Sequence, residues 1–300
     1  MSATTAPTTG GAPTSSNATG NGRNSGVRKP PSTSSIIRAT VLIVGAILML
    51  IPVVWTVLSS FKDQTELALR PPTIIPNDPT VANYSQALTS FNFLSYFKNS
   101  VIVTLAATAL TLTINSMAAF ALAKYNFRGR DFLFLLTLAT IMIPLQVILL
   151  PVYQVVASLG LVNSIWGLII PPAATPTGVF LLRQYMLTIP DDLIEAARID
   201  GASEWRIFWR IVLPLCRPAL AVVAIFSIIW RWNDFLWPLI VAQDERVYTL
   251  PVALARFNGQ QVVPFNLVLA MSVLSILPIV LIFLFLQRHI LAGIAQTGLK

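Results

Sequence analysis

Six long apolar runs divide this chain, and they constrain its fold more than any other feature. The runs cover about residues 39–59, 100–122, 132–154, 164–182, 219–241 and 265–286. A helix needs about 20 apolar residues to cross the core of a bilayer. Charged residues make up only 11% of the chain, less than half of what a soluble domain usually carries. The sequence therefore predicts an all-α polytopic membrane protein with six transmembrane helices.

The first 35 residues differ in composition from the rest of the chain. They are rich in Ser, Thr, Pro, Gly and Asn and contain few apolar side chains. Such a segment cannot offset the entropy that is lost on ordering. We therefore expect a disordered cytoplasmic tail at 1–35 and a transmembrane domain at 36–300. The first apolar run exceeds the roughly 7–15 residues of a signal-peptide core, so we interpret it as a retained helix.

The distribution of Lys and Arg predicts the orientation of these helices. With the N-terminus in the cytoplasm, fourteen of the 20 basic residues fall inside, five fall outside, and Arg231 lies within a span. Cytoplasmic loops of membrane proteins carry such an excess. We expect a multi-pass protein of the inner or plasma membrane with both termini in the cytoplasm. The positive charge is thus explained by topology, and we expect no nucleic acid as a partner.

Several kinds of chemistry are excluded by residue counts. Cys216 is the only cysteine and His289 the only histidine, which excludes an internal disulfide, a His-based triad and a multi-His metal site. The chain has no Gly-Lys pair and hence no Walker A loop, so a nucleotide would have to bind another polypeptide. We expect no catalytic residue, no metal and no cofactor bound by this chain.

The longest inner loop predicts a short helix, a turn and a second helix. Asp191 and Asp192 would begin the first helix, where acids complement its dipole. Asp192 and Glu195 have the spacing of a capping box. Gly201 is suited to a left-handed cap at the end of this helix, and Ser203 to the N-cap of the next.

A helix this short needs a surface to pack against. Ala196 and Ala197 would give it a thin face that another protein can approach closely, while Ile207, Ile211 and Leu213 would face the membrane body. On these physical grounds alone, a plug that fits a partner's groove and a surface helix that merely connects two spans are equally good interpretations.

The spacing of seven residues in this loop distinguishes the two. Glu-Ala-Ala, three residues, Gly, nine residues, Ile, one residue and Leu-Pro occur as Glu195, Ala196, Ala197, Gly201, Ile211, Leu213 and Pro214. Seven fixed residues coincide by chance on the order of 10⁻⁸ per start position. The loop, residues 189–214, resembles the signature loop of permeases in binding-protein-dependent ABC importers, and the resemblance extends over residues 36–300. It implies the MetI-like permease fold.

The resemblance implies a transport subunit rather than an enzyme. In that family the short helix docks in a cleft of a separate ATPase, which binds ATP and Mg²⁺. Carried over to this chain, the coupling residues are those seven together with Asp192. The implied partners are the lipid bilayer, a second permease that forms a heterodimeric pathway, an ATPase dimer and an extracytoplasmic binding protein.

Three further segments are similar to carbohydrate-uptake permeases. Residues 230–239 resemble the fifth span of these permeases, residues 61–84 resemble their corresponding segment, and residues 287–300 are similar to the end of the smaller, maltose-type (MalG-like) subunit. This implies a sugar as the substrate, and maltose-like oligosaccharides, other disaccharides and glycerol phosphates all remain open. The resemblance also implies that Asn258 and Gly259 contact the sugar-binding protein.

Polar and aromatic residues within the spans are candidates for a substrate pathway. They are Trp230, Asn233, Asp234, Asn115, Gln146 and Tyr153. Packing between helices, or anchoring of tryptophan at the interface, is the commoner role of such residues. Arg231 and Asp234 share a helix face at i, i+3 and are expected to pair.

Two other functions compete with an ATP-driven importer. An ion-coupled secondary transporter usually shows inverted repeats and buried acids; this chain shows no clear repeat, and Asp234 is the only acid within a span. A non-transporting membrane scaffold is the second alternative. The signature loop favours the importer over both.

Overall fold

The computed structural model describes residues 33–258 and 264–297, which form helices and no strands. The helices are α1 (Thr33–Ser59), α2 (Gln64–Leu67), α3 (Ala82–Ser90), α4 (Phe93–Lys124), α5 (Arg130–Ile141), α6 (Leu145–Ser158), α7 (Ile165–Ile169), α8 (Pro176–Met186), α9 (Asp191–Ile199), α10 (Glu204–Ile207), α11 (Leu213–Leu215), α12 (Arg217–Asn233), α13 (Leu236–Val241), α14 (Leu250–Asn258) and α15 (Phe265–Thr297). A π-helix, Phe208–Val212, joins α10 to α11, and a 3₁₀ turn, Glu245–Val247, precedes α14. The all-α prediction is confirmed for these residues.

Three single helices are long and apolar enough to cross a membrane. They are Ile37–Ser59 in α1, the whole of α4, and Phe265–Leu284 in α15. Two bent pairs qualify only if each pair is one span: α5 with α6, bent by 106°, and Glu204–Leu215 with α12, bent by 79°. The described residues therefore give three to five candidate spans, and the expected number of six is not confirmed.

Proline explains the missing span. The predicted fourth span, 164–182, is two short helices, α7 and α8. Pro171 and Pro172 follow α7, and Pro176 is the first residue of α8. Proline lacks the N–H that a helix interior needs and restricts the residue before it. Pro144 likewise separates α5 from α6, so these prolines end helices instead of kinking continuous spans.

The chain divides into two units at Leu50. The described part of the first unit is the beginning of α1, whose large apolar side chains are exposed, Met49 among them. Apolar side chains exposed all along a helix are suited to lipid as the solvent. The predicted tail, 1–35, lies almost entirely outside the described residues.

α4 is the central helix of the second unit, which begins at Ile51. It packs against α8 and α12, and α12 packs in turn against α15. Buried apolar clusters surround α4: Phe120, Met186 and Ile207 near its C-terminal end, Ala107, Leu168 and Trp237 along its middle, and Tyr96, Trp232 and Met271 near its start. One membrane-length helix thus positions both the loop at its end and the polar groups along its length.

Polar bonds link the packed helices at several levels. The Thr108 and Ser227 hydroxyls lie 2.9 Å apart between α4 and α12. The Trp232 indole donates to the Ser275 carbonyl at 3.0 Å, and the Trp237 indole donates to a carbonyl of α7 at 3.0 Å. Both tryptophans are therefore packing residues, which agrees with the commoner role expected for tryptophan here.

The segment between α1 and α4 is organised around buried polar side chains. Lys62 Nζ donates to the Thr73 carbonyl, and Glu66 accepts from the Thr73 hydroxyl at 2.7 Å. Asn83 donates to the Lys62 carbonyl at 2.7 Å and accepts from Asn266 at 2.7 Å. Because buried polar groups are costly without partners, this network fixes the segment against the start of α15.

Candidate functional site

The signature loop folds as a helix, a turn and a second helix, as predicted. α9 begins at Asp191, and both acids lie in its first turn. Gly201 follows α9 with φ +78°, and the turn is closed by two hydrogen bonds, Ala202 N to Ala197 O at 2.9 Å and Gly201 N to Arg198 O at 3.0 Å. These bonds define a Schellman cap, so the left-handed glycine is confirmed.

The two predicted N-caps have different outcomes. The Ser203 hydroxyl accepts from Arg206 N at the start of α10, as expected. The capping box of Asp192 with Glu195 is wrong. α9 starts two residues earlier than the box requires, with Pro190 instead of Asp192 at its N-cap, so Asp192 is already inside the helix. Asp192 and Glu195 instead have exposed side chains.

α9 uses one face to attach to the rest of the protein. Ile194 and Ala197 are buried in the cluster that contains Phe120 and Met186, on α4 and α8. Ala196 is exposed on the other side of the helix. The two adjacent alanines therefore point in different directions, and Ala197 contributes to attachment rather than to the free face.

The free face of α9 carries large apolar side chains. Ile199 is 87% exposed and Leu193 is 46% exposed, next to Ala196, Glu195 and Asp192. Apolar groups that are exposed together on a polar loop indicate a contact surface. Leu193 and Ile199 were not predicted as site residues. On a helical wheel Ile199 lies opposite Ile194 and Ala197 and could have been found in this way, whereas Leu193 lies beside Ala197 at the edge of the buried face.

Charged residues hold the loop in a fixed geometry. Arg198 forms an ion pair of 2.7 Å with Glu204, which also accepts from the Tyr125 hydroxyl. Hydrogen bonds from Arg198 and then Tyr125 lower the pKa of Glu204. Burial and the bond to Glu204 raise the pKa of Tyr125 to about 12. Lys124 Nζ binds Asp191 at 2.6 Å. The N-terminal end of α9 is therefore held by α4, and its C-terminal end is held by α10.

The second half of the loop joins this attachment to the helical body. Ile207 is fully buried, and Ile211 and Leu213 pack against the same cluster, as predicted. Ile211 lies in the π-helix and Leu213 and Pro214 in α11. Pro214 cannot donate a backbone hydrogen bond, which favours irregular helix just before it.

The candidate residues at the end of α12 do not form one site, because each has different surroundings. Trp230 is 66% exposed. The Asn233 amide donates to a carbonyl of its own helix at 2.8 Å. Asp234 follows the last residue of α12, and its carboxylate accepts from Trp237 N at 3.4 Å. The expected Arg231–Asp234 ion pair is wrong, because α12 ends at Asn233 and the helical i, i+3 spacing no longer applies.

The remaining candidates do not meet in one place either. Asn115 is fully buried and exchanges two hydrogen bonds with Thr175, of 2.6 and 3.1 Å, between α4 and the N-terminus of α8. Gln146 is exposed on α6, and the Tyr153 hydroxyl lies 3.2 Å from the amide nitrogen of Gln243. Asn115 thus has the structural role that was the commoner expectation.

The structure contains a cavity of about 170 Å³ between α8 and α12. Polar and aromatic side chains in its wall include Thr175, Thr177, Ser227, Trp230 and Arg231. Of the predicted pathway residues only Trp230 lines it. For the predicted contact with a binding protein, Asn258 is the last residue of α14, and Gly259 lies outside the described residues.

Comparison with known sequences identifies one family. The sequence profile described as "Binding-protein-dependent transport system inner membrane component" matches residues 114–296. This range contains the whole signature loop, α12 and most of α15.

Individual relatives cover most of the chain. The arabinooligosaccharides transport system permease protein AraQ of Halalkalibacterium halodurans is 40% identical over 85% of this chain and 92% of its own length. The sn-glycerol-3-phosphate transport system permease protein UgpE of Brucella abortus is 33% identical over 88% and 97%. The diacetylchitobiose uptake system permease protein NgcG of Streptomyces coelicolor is 33% identical over 87% of each chain.

A solved structure has the same fold. It is a crystal structure of a bacterial ABC transporter involved in the import of the acidic polysaccharide alginate. One of its chains superposes with a TM-score of 0.77 at 24% identity, covering 84% of this chain and 95% of that chain.

Proposed function

We propose that this chain, which belongs to the family of binding-protein-dependent transport system inner membrane components, takes part in the import of a sugar. As a member of this family, the chain is a permease subunit of an ABC importer and not an enzyme. Family membership also excludes the two alternatives, an ion-coupled secondary transporter and a non-transporting scaffold. The substrate is a sugar or sugar derivative. The relatives support this, since their names give arabinooligosaccharides, sn-glycerol 3-phosphate and diacetylchitobiose.

The free face of α9 couples this chain to a separate ATPase that binds ATP and Mg²⁺. The observation that supports this most strongly is the exposure of Ile199 and Leu193 on a helix whose other face is buried. A partner that covers these side chains moves α9 as a rigid lever, because ion pairs and the buried cluster fix α9 to the end of α4. The coupling residues then divide into contacts (Asp192, Glu195, Ala196) and supports (Ala197, Gly201, Ile211, Leu213, Pro214).

The chain crosses the membrane six times, with both termini in the cytoplasm. The fourth crossing consists of α7 and α8 together. In the proline-rich segment between them Ala173 is buried and Pro171 and Pro172 are half-buried, and irregular backbone at membrane depth is tolerated where it packs against protein or lines a water-filled cavity. The excess of Lys and Arg in the inner loops supports the orientation.

The complete importer contains a second, different permease, two ATPase subunits and an extracytoplasmic sugar-binding protein. The binding protein contacts the region after α14, at residues 258 and 259. This chain binds no cofactor of its own, and translocation occurs by alternating access between the two permeases.

The test combines uptake into vesicles with a matched pair of variants. The assembled importer should take up a radiolabelled arabinooligosaccharide, sn-glycerol 3-phosphate or diacetylchitobiose when ATP is supplied on the ATPase side. Ile199→Asp should abolish uptake and co-purification of the ATPase. Ile74→Asp changes a 70% exposed isoleucine between α2 and α3 and should preserve both.

Two results would contradict the proposal. Uptake driven by an ion gradient without ATP would remove the ATPase from the mechanism. Normal ATPase binding by the Ile199→Asp variant, at normal expression, would show that the free face of α9 is not the docking surface.

A further inference from the structure

Arg231 is a cation in the interior of the helical body. It lies on α12, within the bent pair that is apolar enough to span the membrane, and its side chain lines the cavity between α8 and α12. A charged side chain at membrane depth is costly, and such residues usually pair with an acid or act on a charged ligand.

The hydrogen-bond partners of Arg231 among the described residues are neutral. Its Nη2 donates to the carbonyl of Pro172 and, at 3.3 Å, to the Thr111 hydroxyl. Its Nε is buried and has no hydrogen-bond partner among the described residues. None of the ion pairs within 33–258 and 264–297 involves it, and the nearest acid in sequence, Asp234, binds Trp237 N instead. Asp234 attracts the guanidinium electrostatically from beyond ion-pair distance, so no described carboxylate is in direct contact with Arg231.

The wall of the cavity is mainly apolar, with Leu181, Val223 and Phe226 in it, and a few of its groups suit a sugar. Trp230 presents an indole that is 66% exposed, and a flat aromatic face packs well against a sugar ring. The Thr175 hydroxyl accepts from Asn115, which leaves its own hydrogen for another acceptor. Thr177 adds a second hydroxyl to the same wall.

We propose that this cavity is a subsite for the anionic group of a charged sugar, with Arg231 as the residue that selects the charge. The inference rests on the proposed sugar-import function and narrows its substrate class to sugars that carry a carboxylate or a phosphate. Guanidinium pairs strongly with either group because its donors match their oxygens. At about 170 Å³ the cavity is smaller than sites that enclose a whole drug-sized ligand, so it accommodates one charged unit of the substrate.

Direct binding to the assembled importer in lipid nanodiscs tests this subsite separately from transport. D-glucuronate, D-glucose 6-phosphate and D-glucose are titrated by calorimetry, so that the first two distinguish carboxylate from phosphate and the third is the neutral reference. The wild type should bind at least one anionic sugar about tenfold or more tightly than glucose. Arg231→Gln should remove this preference and leave the affinity for glucose unchanged.

Two further variants separate recognition of charge from support of the fold. Thr111→Val removes a hydrogen bond to Arg231 but keeps the charge, so the preference for the anionic sugar should persist. Arg231→Lys keeps the charge without the planar guanidinium and should lose less of the preference than Arg231→Gln. Melting of each variant complex shows whether it is folded.

Three outcomes would overturn the proposal. They are equal affinity of the wild type for glucose and both anionic sugars, binding of none of the three, and equal losses in Arg231→Gln and Thr111→Val, which would make Arg231 purely structural. In each case ATP-driven uptake of a neutral sugar would leave the import function standing. Absence of any ATP-driven uptake would contradict the import function itself.

Discussion

Replacing Gly178 with alanine tests the contact between α8 and α4. A methyl group there would lie 2.2 Å from Asn115 Nδ2 and 2.6 Å from Thr175 Oγ1. Ordinary contact begins at 3.4 Å, so the amide would have to retreat by about 1.2 Å. The Asn115–Thr175 hydrogen bonds, 2.6 and 3.1 Å long, would break on such a shift.

The expected cost is about 2–4 kcal/mol. Two lost hydrogen bonds cost about 1 kcal/mol each, and overpacking adds about 1–3 kcal/mol. Replacing glycine by alanine within a helix returns about 1 kcal/mol at most. The measurement is thermal unfolding of the purified protein in detergent, in which Gly178→Ala should melt several degrees below the wild type.

Gly45→Ala is the matched control, because Gly45 is also helical and a methyl group there meets nothing within 4 Å. It should leave the melting temperature unchanged or raise it slightly. The double variant Gly178→Ala with Asn115→Ala removes the nearer of the two atoms that the methyl group strikes, so Gly178→Ala should cost less stability in the Asn115→Ala background than in the wild type. A wild-type melting temperature for Gly178→Ala, or additive losses in the double variant, would refute the reasoning.

Three further changes test other contacts. Acid should loosen α10 from α9. Hydrogen bonds from Arg198 and Tyr125 hold the pKa of Glu204 below its ordinary value of 4.5, so its contribution to folding is full above that value and is lost as the pH falls through the lowered pKa. Hydrogen exchange of α10 between pH 7 and 3 should show this loss in the wild type and not in Glu204→Gln. Trp232→Ala should cost about 3–5 kcal/mol in thermal unfolding because the indole is buried, whereas Trp230→Ala should cost less than about 1 kcal/mol; equal losses would be the contrary result. Thr108→Val should cost about 0.6–2 kcal/mol by breaking the hydroxyl bond between α4 and α12, and an unchanged unfolding midpoint would contradict that bond.

The helical class, the signature loop and its caps could be predicted because local signals determine them. Acids in the first turn, a glycine at φ +78° and a serine at an N-cap act within a few residues of one another. The failed capping box lies at the same helix start, where a shift of two residues moved the N-cap from Asp192 to Pro190. The sequence shows Pro144 and Pro171, but it does not show that helices end there. Whether a proline kinks a span or ends a helix depends on what packs around it.

The sequence by itself determined that this chain is an apolar, all-helical subunit with the signature loop of its family, because hydrophobic runs and short-range spacing are properties of the linear chain. Only the tertiary structure decided which side of α9 is free, since burial depends on what α4 and α8 present to it. It also prevented an ion pair between Asp234 and Arg231 by ending α12 between them, and left Arg231 beside a cavity with neutral hydrogen-bond partners. Such pairings depend on contacts between residues that are far apart in the sequence, and local sequence patterns do not reveal these contacts.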